Sequence, residues 1–167
     1  MSLESNALYI ALFIRDDPPK PNDYHWALYY YHNSTSSSSG MKYHIRNEGN
    51  GWMAAHGLES GAGILKTFLL VGLVHIASIP PTPLAQESLD RVFRSHDGQL
   101  NEDETITCRT WALKVLLRQL QEQLGVLDGI ELEMLEQEVM EWGNQYRFEA
   151  SRNVQPRPVG KSRYLTM

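Results

Sequence analysis

The hydrophobic pattern of this chain changes period at Ile79-Pro80-Pro81-Thr82-Pro83, and no other feature does more to limit the folds open to it. Before this point apolar residues come in continuous or alternating runs of strand type; after it they recur every three or four residues, as on one face of a helix. Three prolines so close together can continue neither element, so the segment is a rigid connector. Thr82 or Pro83 then starts a helix reaching about Ser95, with Leu84, Leu89, Val92 and Phe93 facing inward. Strands first and helices after describe an α+β domain: an antiparallel sheet of about four or five strands from Leu8 to Ser78, packed against helices of the C-terminal half.

Within the first half, Asn6 to Ile14 is a nearly unbroken apolar run, the pattern of a buried strand. Tyr24 to His32 is too aromatic for a good helix and forms a second strand with two substantial faces: His25, Ala27, Tyr29 and Tyr31 on one, Trp26, Leu28, Tyr30 and His32 on the other. A polar hairpin loop follows over 33–40. Met41 to Asn47 alternates as a half-buried strand, the Gly49-Asn50-Gly51 turn leads to a short strand at Trp52 to Ala55, and Leu65 to Ser78 is a long strand bent at Gly72. In the second half, the helix opening at Cys108 carries Trp111, Ala112, Val115, Leu116, Leu120 and Leu124 at helical spacing and stops at Gly125. A last amphipathic helix spans Gly129 to Trp142, its glutamates forming a solvated face. The single domain thus covers 1–150, and 151–167, with Pro156 and Pro158, is an extended or disordered tail.

With 42% hydrophobic residues in a chain of 167, a full core is affordable without covalent staples. Its one cysteine permits no intrachain disulfide and no cysteine zinc cluster, which fits a reducing compartment, so the cytoplasm is the expected location. The start of the chain does not look like a signal peptide, and the longest apolar segment, Phe68 to Pro80, is too short to span a bilayer. A net charge of -5 without a basic, aromatic-interleaved run excludes nucleic acid as the expected partner. The expected partner is instead a small-molecule or peptide-like substrate; oligomeric state is not legible.

Chemistry centres on Cys108. At the first turn of a helix, with Thr105 or Thr107 as N-cap, unpaired N–H groups and the macrodipole favour a thiolate. Thiol catalysis also needs a base in contact with sulfur and a group to orient it. His25, at the start of the second strand, and His44, on the next, can meet across a strand pair. Of the remaining histidines, His32 and His75 lie in apolar strands and are satisfied there, His56 has no obvious partner, and His96 sits in a loop. No pair stands at metal-ligand spacing, so neither metal nor cofactor is expected. Trp26, Tyr29, Tyr31, Trp52 and Trp111 could line a pocket, with Tyr24 or Arg109 assisting an oxyanion held by the Cys108 backbone N–H.

The combination of Tyr24-His25-Trp26-Ala27-Leu28, Tyr43-His44-Ile45 and Thr107-Cys108-Arg109-Thr110-Trp111 resembles the circularly permuted papain-like group. That group comprises permuted NlpC/P60 proteins, the lecithin retinol acyltransferase family and PPPDE-like peptidases, in which histidine precedes cysteine. The same landmarks are similar to those of small fungal proteins, some of which accompany natural-product genes. The resemblance implies a permuted papain-like fold and a hydrolase or acyl transferase acting on an amide, ester or thioester, with Cys108 as nucleophile, His25 as base and His44 as orienter. Tyr24, Trp26, Tyr29, Trp52, Arg109 and Trp111 would then bind substrate. The acyltransferases carry an Asn-Cys-Glu-His block, whereas Thr107 and Arg109 flank Cys108 here. A non-catalytic small-molecule binding protein, or a cyclase of natural-product biosynthesis using the same cleft, is the alternative from a different class.

Overall fold

The computed structural model describes residues 3–34 and 37–165; Thr35 and Ser36, at the tip of the expected serine loop, lie outside the described residues. Strands β1 (Ala7–Ile14), β2 (Tyr24–Ser34), β3 (Ser37–Tyr43), β6 (Gly57–Leu58), β7 (Leu70–Ser78) and β8 (Val159–Lys161) form one sheet in the order β6-β3-β2-β1-β7-β8. Strands β4 (Ile45–Asn47) and β5 (Trp52–Ala54) pair only with each other, closing a hairpin around the Gly49-Asn50-Gly51 turn. Helix α1 (Gly61–Leu65) precedes β7, α2 (Pro83–Arg94) follows it, and α5 (Leu132–Ser151) precedes β8. Between α2 and α5 one helical run covers 108–124: α3 (Cys108–Thr110), a π-helical stretch (Trp111–Leu117) and α4 (Arg118–Leu124).

Period-two alternation sorts β1 and β2 between two cores. Leu8, Ile10 and Leu12 with Trp26, Leu28 and Tyr30 face the helices, meeting Leu89, Val92 and Phe93 of α2, Trp111, Leu116 and Leu120 of the central run, and Leu135 and Val139 of α5. Ala7, Tyr9 and Ala11 with Ala27, Tyr29 and Tyr31 face away, onto Ile64 of α1 and the partly buried Leu3 and Leu65. Strands covered on both faces carry apolar residues at consecutive positions, which is why β1 and β7 are nearly continuous apolar runs. Thr82 caps α2, its hydroxyl accepting from the Ala85 N–H with Pro83 at the first helical position.

Several expectations need correction, among them Leu84, which is 73% exposed rather than inward-facing, and the 33–40 loop, most of which is strand in β2 and β3. The sheet is mixed, because β8, drawn from the 151–167 tail, pairs parallel to β7. The long strand expected over Leu65 to Ser78 starts only at Leu70, and Leu65 instead ends a short helix (Gly61–Leu65) whose N-cap Ser60 accepts from the Gly63 N–H. The third strand breaks at His44, so its second half joins the separate hairpin. The last helix runs through Gly143 to Ser151; Gly143 is no stop signal but a close approach, where an added Cβ would lie 2.7 Å from Leu12 and 3.1 Å from Tyr24. Gly72 likewise sits beside a register shift of β1 against β7 and leaves room for β8, an added Cβ meeting the Pro158 carbonyl at 2.4 Å.

Arg157 fastens that last strand. Its guanidinium, 3% exposed, donates to the carbonyls of Leu70 at 2.9 Å, Val71 at 2.7 Å and Val154 at 2.7 Å. Removing it strands buried acceptors, each worth roughly 1–3 kcal/mol. Arg157→Met is expected to lower unfolding stability by about 3 kcal/mol, read from the urea midpoint, and Arg157→Lys to recover little, because one ammonium cannot span the fork. An unchanged midpoint would mean that the tail does not hold the sheet edge.

Candidate active site

The site forms where β3 leaves β2. Pairing between these strands begins at Leu28 with Tyr43, so residues 24–27 keep β1 on one side and have no β3 partner on the other. The start of the central helix fills the gap. Thr107 is its N-cap, in a box in which the Thr107 hydroxyl accepts from the Thr110 N–H at 3.2 Å and the Thr110 hydroxyl accepts from the Thr107 N–H at 2.8 Å. Cys108 is therefore the first helical residue, and its Sγ rests against the β2 backbone, 4.0 Å from the Tyr24 carbonyl oxygen.

His25 and His44 meet, but not as the expected cross-strand pair: His25 lies where β2 has no β3 partner, and His44 sits in the break between β3 and β4. His25 Nε2 lies 3.0 Å from His44 Nδ1, and the rings are edge-on with centroids 5.3 Å apart. Among the described residues Sγ makes no hydrogen bond to His25, whose Nδ1 is unpaired. Two clefts have Cys108 in their lining. A wider one of about 340 Å³ is lined by Arg15, His25, His44, Ile45, Arg46, Asn47, Trp52 and Cys108. A narrower one of about 160 Å³ shares only Arg15 and Cys108 with it and is otherwise walled by Asn22, Asp23, Tyr24, Trp26, Thr107 and Arg109.

Burial decides the protonation states. The Cys108 thiol, 3% exposed, has its pKa raised by desolvation, against which the Trp26 N–H, the Arg15 charge, and the Arg109 and Cys108 N–H groups act in the opposite sense. The helix start does favour a thiolate, but loss of water outweighs it. His25 is lowered to about 4 by burial and then by Arg15, Lys42 and Arg46. His44 is lowered to about 3 by burial, followed by Lys42, His25, Arg46 and His56. At neutral pH the resting site is a neutral thiol beside two neutral imidazoles.

The expected substrate-binding residues divide. Tyr24, Trp26 and Arg109 border the narrow cleft and Trp52 the wide one, whereas Tyr29 and Trp111 are 0% exposed and reach neither. Tyr29 lies in the far core with its hydroxyl on the Glu59 carbonyl, and Trp111 packs under the His56 ring, centroids 5.9 Å apart. The Tyr24 hydroxyl is taken up by Asn144, so it is not free to assist an oxyanion.

His56 is the residue that sequence reasoning missed. It is not partnerless: its Nδ1 accepts from the His44 backbone N–H at 3.1 Å, and its Nε2 reaches the Asp97 carboxylate at 3.0 and 3.1 Å. It thereby holds the backbone that presents His44. Its partners lie far off in sequence, and no local pattern announces them. Among the described residues no three His, Cys, Asp or Glu side chains converge as a metal set, and no helix is long and apolar enough to cross a membrane.

No curated protein and no solved structure matches the chain. Residues 5–159, which include β1, both candidate histidines, Cys108 and the first residue of β8, match a family described as a family of unknown function, DUF6914, and the chain belongs to that family.

Proposed function

We propose that this protein is a thiol-dependent hydrolase or acyl transferase of papain-like type, acting on an amide, ester or thioester. The observation that carries the reading is the His25–His44 pair lining one cleft with a helix-opening cysteine. The reading requires one of the two tautomers that this pairing allows. If His25 Nε2–H donates to His44 Nδ1, His25 Nδ1 is left as an acceptor for the thiol proton, and His44, neutral with its proton on Nε2, orients the ring. Because the resting groups are neutral, His25 acts as a general base during attack rather than as half of a standing ion pair.

In the first step Sγ bonds to the carbonyl carbon while its proton passes to His25 Nδ1, and the Cys108 backbone N–H faces the oxyanion. The tetrahedral species then loses its leaving group, which takes the proton from His25, and a thioester on Cys108 remains. Water or an acceptor nucleophile, deprotonated by His25, cleaves the thioester and restores the thiol. A non-catalytic binding protein or a cyclase is the second reading. It is favoured by the same uncharged resting state, since a pocket with no thiolate suits holding a small molecule as well as attacking one.

The deciding experiment is a stopped-flow burst with p-nitrophenyl acetate, followed by peptide mass analysis. About one equivalent of p-nitrophenolate per chain is expected, with an acetyl group on the Cys108 peptide, and neither in His25→Ala. Steady release without a burst and without a Cys108 adduct would overturn the proposal.

A further inference from the structure

The two clefts that Cys108 lines differ in size and lining, and the chemistry of a thiol enzyme assigns each a role. His25, which must protonate the departing atom, lines only the wider cleft, so the leaving group occupies that side. The acyl group must then extend into the narrower one. At about 160 Å³ that cleft is less than half the size of the wider one, about 340 Å³. A short acyl group fits within it, whereas a long fatty chain would run out of its mouth into water; beside Tyr24 and Trp26 its walls are polar, with Asn22, Asp23, Thr107, Arg109 and the shared Arg15.

Both arginines there are only loosely engaged. Arg15 lies 3.6 Å from Asp23 and Arg109 lies 3.4 Å from Glu136, in each case with the guanidinium side chain more than 40% exposed. Exposed pairs of this kind contribute roughly 0–1 kcal/mol, so either arginine can exchange its partner for a substrate carboxylate at little cost and bind it through two parallel N–H donors. The wider cleft, with Trp52 and Ile45 on its walls, suits a larger and flatter group.

Resting on the thiol reading, we propose that the substrate is an ester, thioester or amide of a short acyl group bearing a carboxylate, joined to a larger leaving group with a planar portion. Sγ bonds to the acyl carbon, the bond to the leaving group breaks, and the proton lost by sulfur leaves on the departing oxygen, sulfur or nitrogen. Water or an acceptor arriving through the wider cleft then takes the acyl group.

The test compares mono-p-nitrophenyl glutarate, p-nitrophenyl valerate and p-nitrophenyl dodecanoate, which share a leaving group, with spontaneous cleavage subtracted and adducts on Cys108 measured by mass. Glutarate is expected to acylate Cys108 at least about tenfold faster than its neutral near-isostere valerate, and dodecanoate at least about tenfold slower than valerate. Arg109→Gln should bring the glutarate-to-valerate ratio toward one. Equal rates for glutarate and valerate, or fast acylation by dodecanoate, would overturn this assignment while leaving the thiol mechanism intact. Absence of a Cys108 adduct from every ester, p-nitrophenyl acetate included, would overturn both.

Discussion

Replacing Cys108 by alanine is expected to lower kcat/KM for ester cleavage by at least about 10⁴-fold, and replacing it by serine by nearly as much. The nucleophile forms the bond that divides the reaction into two steps, and removing such a group costs several orders of magnitude even when binding survives. Serine keeps the shape but presents a hydroxyl far harder to deprotonate, in a pocket where burial already raises the pKa of a thiol. Folding offers no rival explanation for such a loss. The sulfur's contact with the Tyr24 carbonyl is long at 4.0 Å, and either variant removes or exchanges only one buried atom. Thermal unfolding of both variants should therefore stay within a few degrees of the parent. Should Cys108→Ala and Cys108→Ser both keep the activity or the ligand affinity of the parent, the pocket is a template or a binder and sulfur has no chemical role in it.

What could be seen in the sequence was whatever local chemistry determines. Thr82 and Thr107 cap helices because a hydroxyl one residue ahead of a helix has few better uses. The two faces of β2 followed from alternation alone, and His25 falls on the face with Ala27, Tyr29 and Tyr31. What escaped reading depends on distant partners. Val159-Gly160-Lys161 has no strand signature of its own; it is a strand because β7 has a free edge and Arg157 grips the carbonyls at the start of β7. Gly143 has the look of a helix terminator, yet it is where α5 presses onto Leu12 and Tyr24. His56 and Asp97 are joined only by the fold. The sign of the thiol's pKa was hidden for a related reason: a helix start is visible in the sequence, whereas the depth at which β2 and the helix bury the sulfur is not.

The pH dependence of catalysis separates a neutral pair from an ion pair. His25 must be unprotonated to accept the thiol proton, and burial together with Arg15, Lys42 and Arg46 lowers it to about 4. kcat/KM should therefore rise with an apparent pKa near 4. Above that the thiol, whose pKa is raised, transfers its proton only during attack, so the profile should stay level through about pH 9. A standing thiolate–imidazolium pair would behave differently, since activity would fall in the alkaline range as the imidazolium lost its proton. Such a descending limb would refute the neutral mechanism. Stability carries the same signature: with folded values near 4 and 3 against an ordinary 6.5, His25 and His44 leave the unfolded chain binding more protons below about pH 6.5. Their contribution is fully present above that pH and is lost as pH falls toward about 3, so the unfolding temperature should drop across that window. His44 acts through His25, and its variants test that role. His44→Ala should lower kcat by about 10- to 100-fold with KM little changed, whereas His44→Asn, which keeps an acceptor near the position of Nδ1, should recover most of the loss. If asparagine is no better than alanine, the 3.0 Å contact packs the two rings together without orienting the base.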